Sequence, residues 1–206
     1  NSGWCRAMLL EQPNFNRKTG VWGLCDAWML ESDLQVRGYD KAPRCVVTEL
    51  WANVFKASDL AGVVVRRLSF GTLVSLVEQQ EKGIRIRLLD GTVGYVRKSD
   101  VAMLSDQAKS PNNTAMRQRL VDYTRKFLGL PYCWGGRSAY DKDIRDLPAS
   151  VDCSGLVSLV YRACGFNVPR NAHPQFVKAT PVEPKDMQPG DLIFFKREKH
   201  NFERVN

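Results

Sequence analysis

Between residues 45 and 104, apolar and polar positions alternate in short bursts punctuated by turn residues, a pattern that predicts β-strands. Strands are expected at 45–47, 62–65, 73–77, 84–88 and 93–96. Ile84-Arg85-Ile86-Arg87-Leu88 alternates strictly, as a strand with one buried face does. Asp90-Gly91 separates this run from the next, and that pair is a strong hairpin signal. Short strands so closely spaced predict a small barrel rather than an open sheet. After residue 113 the period becomes helical. Met116, Leu120, Tyr123, Phe127 and Leu128 mark one apolar stripe, with Thr114 as a candidate cap and Gly129 and Pro131 as the stop. Leu156, Val157, Val160, Ala163 and Cys164 mark a second, opened by Asp152 and closed by Gly165. A loop with His173 and Gln175 follows, and Met187-Gln188-Pro189-Gly190-Asp191 then turns into Leu192-Ile193-Phe194-Phe195, read as a short buried strand.

The chain divides accordingly. Residues 1–44 carry no assignment beyond compatibility with part of a β module. Trp4, Trp22 and Trp28 imply packing against something, and Asn14-Phe15-Asn16 and Lys18-Thr19-Gly20 look like turns. Residues 45–104 form a β module, 105–113 a polar linker, and 114–206 a second unit with helices and strands.

Composition narrows the partners. The 206 residues are 44% apolar and 25% charged, ordinary for a globular protein, and no apolar run reaches bilayer length. The apolar stretch at 7–10 is too short for a secretory signal. The chain does not begin with Met, which fits a removed leader or a fragment. The net charge of +8 favours anionic partners, whether nucleic acid, anionic lipid or acidic cell-wall material, unless it is simply a solvated basic surface, the favoured reading. Its basic residues are scattered, without the arginine-rich tract or stacking platform that nucleic-acid binding requires, so no nucleic-acid partner is expected. Six cysteines lack the two-residue spacing of a zinc knuckle and there are two histidines, so neither metal nor cofactor is expected. Several unpaired thiols weigh toward a reducing compartment.

The chemistry concentrates at Asp152-Cys153-Ser154-Gly155. A cysteine in the first helical turn meets unpaired amides and the positive end of the helix dipole, which favour an anion there. The competing reading is a small buried hydrophobe. Asp152 is open to two roles, a helix cap or a ligand for a substrate ammonium group.

Three segments then stand in one order: Pro131-Tyr132-Cys133-Trp134-Gly135-Gly136, Asp152-Cys153-Ser154-Gly155-Leu156, and Pro189-Gly190-Asp191-Leu192-Ile193-Phe194-Phe195. Together they resemble the NlpC/P60 family of cysteine peptidases over residues 115–206, and Val168-Pro169-Arg170 fits the loop after that family's catalytic helix. Gly94-Tyr95-Val96-Arg97-Lys98-Ser99-Asp100 and Leu50-Trp51-Ala52-Asn53-Val54 resemble parts of a bacterial SH3-like domain. The fold expected is therefore α+β: an SH3-like barrel followed by a papain-like domain with its catalytic helix packed on an antiparallel sheet. The resemblance implies a thiol endopeptidase that cleaves peptidoglycan stem peptides or muropeptides between D-glutamate and the diamino acid, acting as a monomer in the cytoplasm or at the cell envelope. It implies Cys153 as the nucleophile and Tyr132 as an active-site phenol. It further implies Asp152 and Ser154 as residues that hold the stem peptide, with Trp134 as a cleft wall. Glu49 is the candidate for a second ammonium ligand.

The family's catalytic histidine begins a strand after the third segment. Here the one histidine downstream, His200, lies in a charged tail, and His173 does not match the family's base. The expectation is that the base lies beyond Asn206 and that the catalytic unit is truncated. Two smaller departures are a charged insertion between Gly136 and Asp152, and Ala172 in place of a hydroxyl. Other readings are a non-catalytic peptidoglycan-binding scaffold and a related thiol acyltransferase or amidase.

Overall fold

The computed structural model describes residues 3–34, 44–104, 113–139 and 150–195. The linker expected at 105–113, apart from Asn113, lies outside the described residues, as do the charged insertion's 140–149 and His200. The chain opens with a long antiparallel hairpin, β1 (Trp4–Asn16) and β2 (Val21–Leu30). Its turn is closed by Asn16, whose Oδ1 accepts from the amides of Lys18 and Thr19. Asn14 to Asn16, read as a turn, are strand residues instead. Phe15 and Trp22 face each other near the tip, with ring centroids 5.3 Å apart. Trp28 does not find the packing its size suggested, for it is 68% exposed.

Seven strands form the second sheet: β3 (Arg44–Val47), β4 (Trp51–Phe55), β5 (Val64–Ser69), β6 (Leu73–Gln79), β7 (Gly83–Arg87), β8 (Val93–Arg97) and β9 (Val101–Met103). Their order is β5-β4-β8-β7-β6-β3-β9. The Asp90-Gly91 hairpin joins β7 and β8, and Ile84 and Ile86 of β7 point into the core as their alternation predicts. Of the strand expected at 62–65, Val64 and Val65 are strand residues, and the valines at 63–65 are exposed. The strand starts at Val64, and its core residue is Leu68, opposite Ala52 of β4.

The connections force this sheet to roll. From Val47 to Trp51 the chain can reach about 15 Å, while the four strand spacings between β3 and β4 need about 19 Å if flat. The same holds from Ser69 to Leu73, between β5 and β6. The corner is stitched by backbone bonds from Phe70 N to Leu50 O, Gly71 N to Val47 O and Val47 N to Thr72 O. These corner bonds replace a closing ladder. The expected closed barrel is thus an open roll, with β5 and β9 as its ends.

β3 is buried on both faces and separates two cores. Cys45 and Val47 face the roll with Val54, Ile86 and Val96. Val46 faces the other way, toward the helices α1 (Thr114–Arg125) and α2 (Cys153–Ala163). Phe70 projects from the corner into that second core, edge-on to Tyr123 and Phe127 at centroid distances of 5.5 and 5.2 Å. Gly71 adopts φ +78°, and a Cβ there would lie 2.7 Å from Leu159 Cδ2 of α2, so the corner rests directly on that helix.

The cap of α1 is Asn113, whose Oδ1 accepts from Ala115 N at 2.8 Å, rather than Thr114. Leu128 lies past the helix end and is exposed. After α2 come a loop and α3 (Ala172–Lys178). The turn at Pro189-Gly190-Asp191 is pinned to both long helices. Arg117 Nη1 donates to Asp191 Oδ1 at 2.6 Å and to Pro189 O at 3.1 Å, and Tyr161 Oη donates to Gly190 O at 2.8 Å. The Arg117 hydrogen bond holds the Asp191 carboxyl below its ordinary range.

Leu192 to Phe195 do not form the expected buried strand. Leu192 and Phe194 are half-buried while Ile193 and Phe195 are exposed, the alternation of a strand without a ladder partner among the described residues. Among the described residues, helix α2 packs on α1 and the roll's corner. Among the described residues no helix is long and apolar enough to cross a membrane.

Phe70→Ala should cost about 3–5 kcal/mol, because it empties a site that the corner and both helices share. Urea denaturation measures this. A loss within about 0.5 kcal/mol, the range of a surface substitution, would show that the ring does not join the two units.

Candidate active site

Asp152 caps α2 as its sequence position predicts. Its Oδ1 accepts from Gly155 N at 2.6 Å, and its backbone carbonyl accepts from Leu156 N. The cap thus takes up the third and fourth amides of the helix and leaves those of Cys153 and Ser154 outside these bonds. At the other end Gly165 N bonds Arg162 O and Phe166 N bonds Tyr161 O, a Schellman stop.

The tight helix entry explains Gly155. A Cβ there would lie 2.3 Å from Gly136 O and 3.0 Å from Asp152 Oδ1. Its absence lets the Gly135-Gly136 turn press against the first turn of α2. Gly136 O accepts from Asp152 N, and Gly135 N donates to Asp152 Oδ2 at 3.0 Å. Tyr132 pairs with Val151 in a parallel bridge just upstream. Ser150 Oγ donates to Pro131 O and secures the same crossing.

These contacts bring Tyr132 and Cys153 together. Cys153 is exposed, so the buried-hydrophobe reading does not hold for it. It does hold for Cys164 on the same helix and for Cys45, both fully buried, where desolvation pushes each thiol up to about 11. Tyr132 is 61% exposed, and Cys153 is close enough to act on its phenol. Partial desolvation, with Cys153 and Asp152 alongside, raises the phenol pKa above its ordinary value. Tyr132 therefore stays protonated beside Cys153. Trp134 is 89% exposed on the same turn.

The carboxylate of Asp152 is fully committed. Arg170 grips it with two parallel bonds, Nη1 to Oδ1 and Nη2 to Oδ2, each 2.9 Å, and both side chains are about nine-tenths buried. Ser154 Oγ and the Gly155 and Gly135 amides supply the remaining bonds. This geometry shows the cap role of Asp152. Ser154 is also turned inward. Its hydroxyl donates to Asp152 Oδ1 at 3.2 Å and accepts from Arg170 Nη1 at 3.1 Å.

Glu49 pairs with Lys126, just past the end of α1, and so is held at the junction of roll and helix. His173 sits at the start of α3 with its ring 6.0 Å from Phe15 at the hairpin tip. Sequence reasoning gave no individual role to Arg170 or to Gln175, whose Nε2 donates to Ser154 O at 3.0 Å and Pro169 O at 2.7 Å. The available signal was electrostatic, since a buried capping carboxylate requires a cation.

Burial alone would raise the Asp152 carboxyl, but the Arg170 hydrogen bond and charge and the Gly155 and Gly135 amides outweigh it and hold the group below its ordinary 3.8. The stability this contributes is fully present above that ordinary value and is lost as pH falls through the lower folded value. Asp152→Asn should accordingly cost about 3 kcal/mol at neutral pH, since it leaves Arg170 buried without its counter-charge. The deficit should shrink as pH falls below ~4. Urea midpoints at several pH values test this, and a deficit that does not change with pH would contradict it.

Residues 129–205 match the NlpC/P60 family. A gamma-D-glutamyl-L-lysine dipeptidyl-peptidase of Bacillus cereus is 30% identical over 205 residues, which are 95% of this chain and 55% of that protein. The Bacillus subtilis protein of the same name is 31% identical over 132 residues, 64% of this chain and 39% of its own length. A probable endopeptidase p60 of Listeria grayi is 34% identical over 86 residues, 42% of this chain and 15% of its own length. The chain thus spans about half or less of each of these relatives. The crystal structure of an NlpC/P60 family protein from Bacillus cereus matches the fold with a TM-score of 0.67 at 23% identity, over 92% of this chain and 58% of that one. The cysteine helix, the tyrosine turn before it and the arginine loop behind it all fall inside the segment that matches the NlpC/P60 family.

Proposed function

We propose that this chain is the thiol-bearing part of a cell-wall peptide hydrolase that cleaves stem peptides between D-glutamate and the diamino acid. The observation that carries the reading is an exposed cysteine at a helix start, with the Tyr132 phenol beside it. The names of the Bacillus and Listeria relatives support the substrate class. In this reading Cys153 Sγ attacks the γ-carbonyl carbon of the D-glutamyl residue, the amine of the diamino acid leaves, and water hydrolyses the resulting thioester. The Cys153 amide, at the open end of α2 and outside the bonds of the cap, and the Tyr132 phenol are suited to donate to the developing oxyanion. Trp134 offers an apolar wall beside them.

The thiol proton and the proton taken by the leaving amine need an imidazole carrier. His173 is engaged with Phe15, and His200 lies outside the described residues. Asp152 and Ser154 fix the helix start and flank Cys153, and in this reading they help hold the stem peptide. The rolled sheet is proposed as the SH3-like module. Its two aromatic-bearing closing segments, around Trp51 and Tyr95, and its short strands support that reading.

The test is incubation of an L-alanyl-γ-D-glutamyl-L-lysine peptide with this chain and with any longer product of its gene. Release of free lysine and the L-Ala-γ-D-Glu dipeptide, abolished by Cys153→Ala, is the expected result. Absence of cleavage by both, or cleavage that survives Cys153→Ala, would overturn the proposal.

A further inference from the structure

We propose that Arg170 is the positioning residue of the Cys153 site, setting the distance and orientation between the thiol and the Tyr132 phenol. This rests on the reading of Cys153 as a nucleophile. One guanidinium joins two chain segments that carry the two reacting groups. Nη1 bonds Asp152 Oδ1 at 2.9 Å and Ser154 Oγ at 3.1 Å, on either side of Cys153. Nη2 bonds Asp152 Oδ2 at 2.9 Å and Gly136 O at 3.1 Å, on the turn that follows Tyr132 and Trp134. The planar fork thus spans the crossing between the tyrosine turn and the helix start.

Arg170 is itself fixed. It follows Pro169, which is fully buried and whose carbonyl accepts from Gln175 Nε2. The same amide nitrogen bonds Ser154 O, so α3 braces the arginine loop and the nucleophile's turn together. The charge matters as much as the geometry. Asp152 is the residue before Cys153, and Arg170 cancels the one carboxylate charge that would oppose a thiolate in that turn. A lysine could supply the charge, but its single ammonium cannot grip both carboxylate oxygens and also reach Gly136 O.

The experiment compares the wild-type chain with Arg170→Lys and Arg170→Met, and with the double variant Asp152→Asn/Arg170→Met, which keeps a folded form in hand by removing the unpaired buried charge. Three quantities are read at a temperature where circular dichroism shows each variant folded. These are kcat and KM on the stem peptide, the rate of Cys153 carboxamidomethylation by iodoacetamide with Cys133 as internal reference, and the thermal midpoint. Arg170→Lys should recover much of the midpoint lost in Arg170→Met, yet both should lower kcat about 10- to 100-fold with KM nearly unchanged. Both should also slow Cys153 alkylation severalfold relative to Cys133.

Unchanged kcat and unchanged Cys153 reactivity per folded molecule, with only the midpoint lowered, would overturn the proposal and leave Arg170 a stabilising residue. A rise in KM alone would also overturn it, by making Arg170 a substrate contact. If the wild-type chain does not cleave the stem peptide, the function fails while the alkylation rates still decide the role of Arg170.

Discussion

A buried carboxylate at the start of a helix is an unstable arrangement unless something answers its charge. Asp152 is desolvated and adjacent to Cys153, and the Arg170 fork is what holds it ionised in that place. Buried ion pairs contribute little net stability, because desolvating both partners offsets most of their attraction. What this pair supplies is fixed geometry. The carboxylate can cap α2 and receive the Gly135 amide because Arg170 balances it. The cap in turn leaves the first amides of α2 outside its own bonds, where a developing negative charge would meet them.

That local arrangement rests on a larger one. The helix that starts at Cys153 lies on the corner of the rolled sheet, with Gly71 against Leu159 and Phe70 between Tyr123 and Phe127. β3 serves both cores through its alternation, Val46 to the helices and its neighbours to the roll. The hairpin reaches the same region from the opposite end of the sequence. Its tip meets α3 through Phe15 and His173, and Lys178 lies 5.8 Å over the Trp22 ring. Through Gln175, α3 connects that contact to the backbone beside Cys153. A change at the hairpin tip therefore has a short physical route to the site.

Features encoded within a few residues were legible from sequence. Asp152 as cap, Gly165 as stop, the alternation at Ile84 to Leu88 and the Asp90-Gly91 turn all depend on near neighbours, and all are found where expected. Features that depend on distant partners were not. The strand read at 62–65 was misplaced because a continuous apolar run carries no periodicity, and the edge strand β5 runs from Val64 to Ser69 with Leu68 as its core residue. The roll's failure to close depends on which strands pair, which no single segment records. Leu192 to Phe195 has the alternation of a strand, but becoming one requires a neighbour. At the site, Cys153 and Tyr132 were legible as motif positions. The engagement of Asp152 was not, because its partner lies 18 residues away across a loop.

The central claim is that Cys153, set at the open end of its helix beside Tyr132, is a nucleophile matched to a γ-D-glutamyl carbonyl. The most direct measurement is covalent labelling by a γ-D-glutamyl chloromethyl ketone bearing an N-terminal L-alanine, with the modified residue located by mass spectrometry. The account predicts rapid modification of Cys153, slow modification of Cys133, and protection of Cys153 by the free L-Ala-γ-D-Glu dipeptide. Equal labelling of the two thiols, or labelling of Cys153 that the dipeptide does not slow, would contradict it.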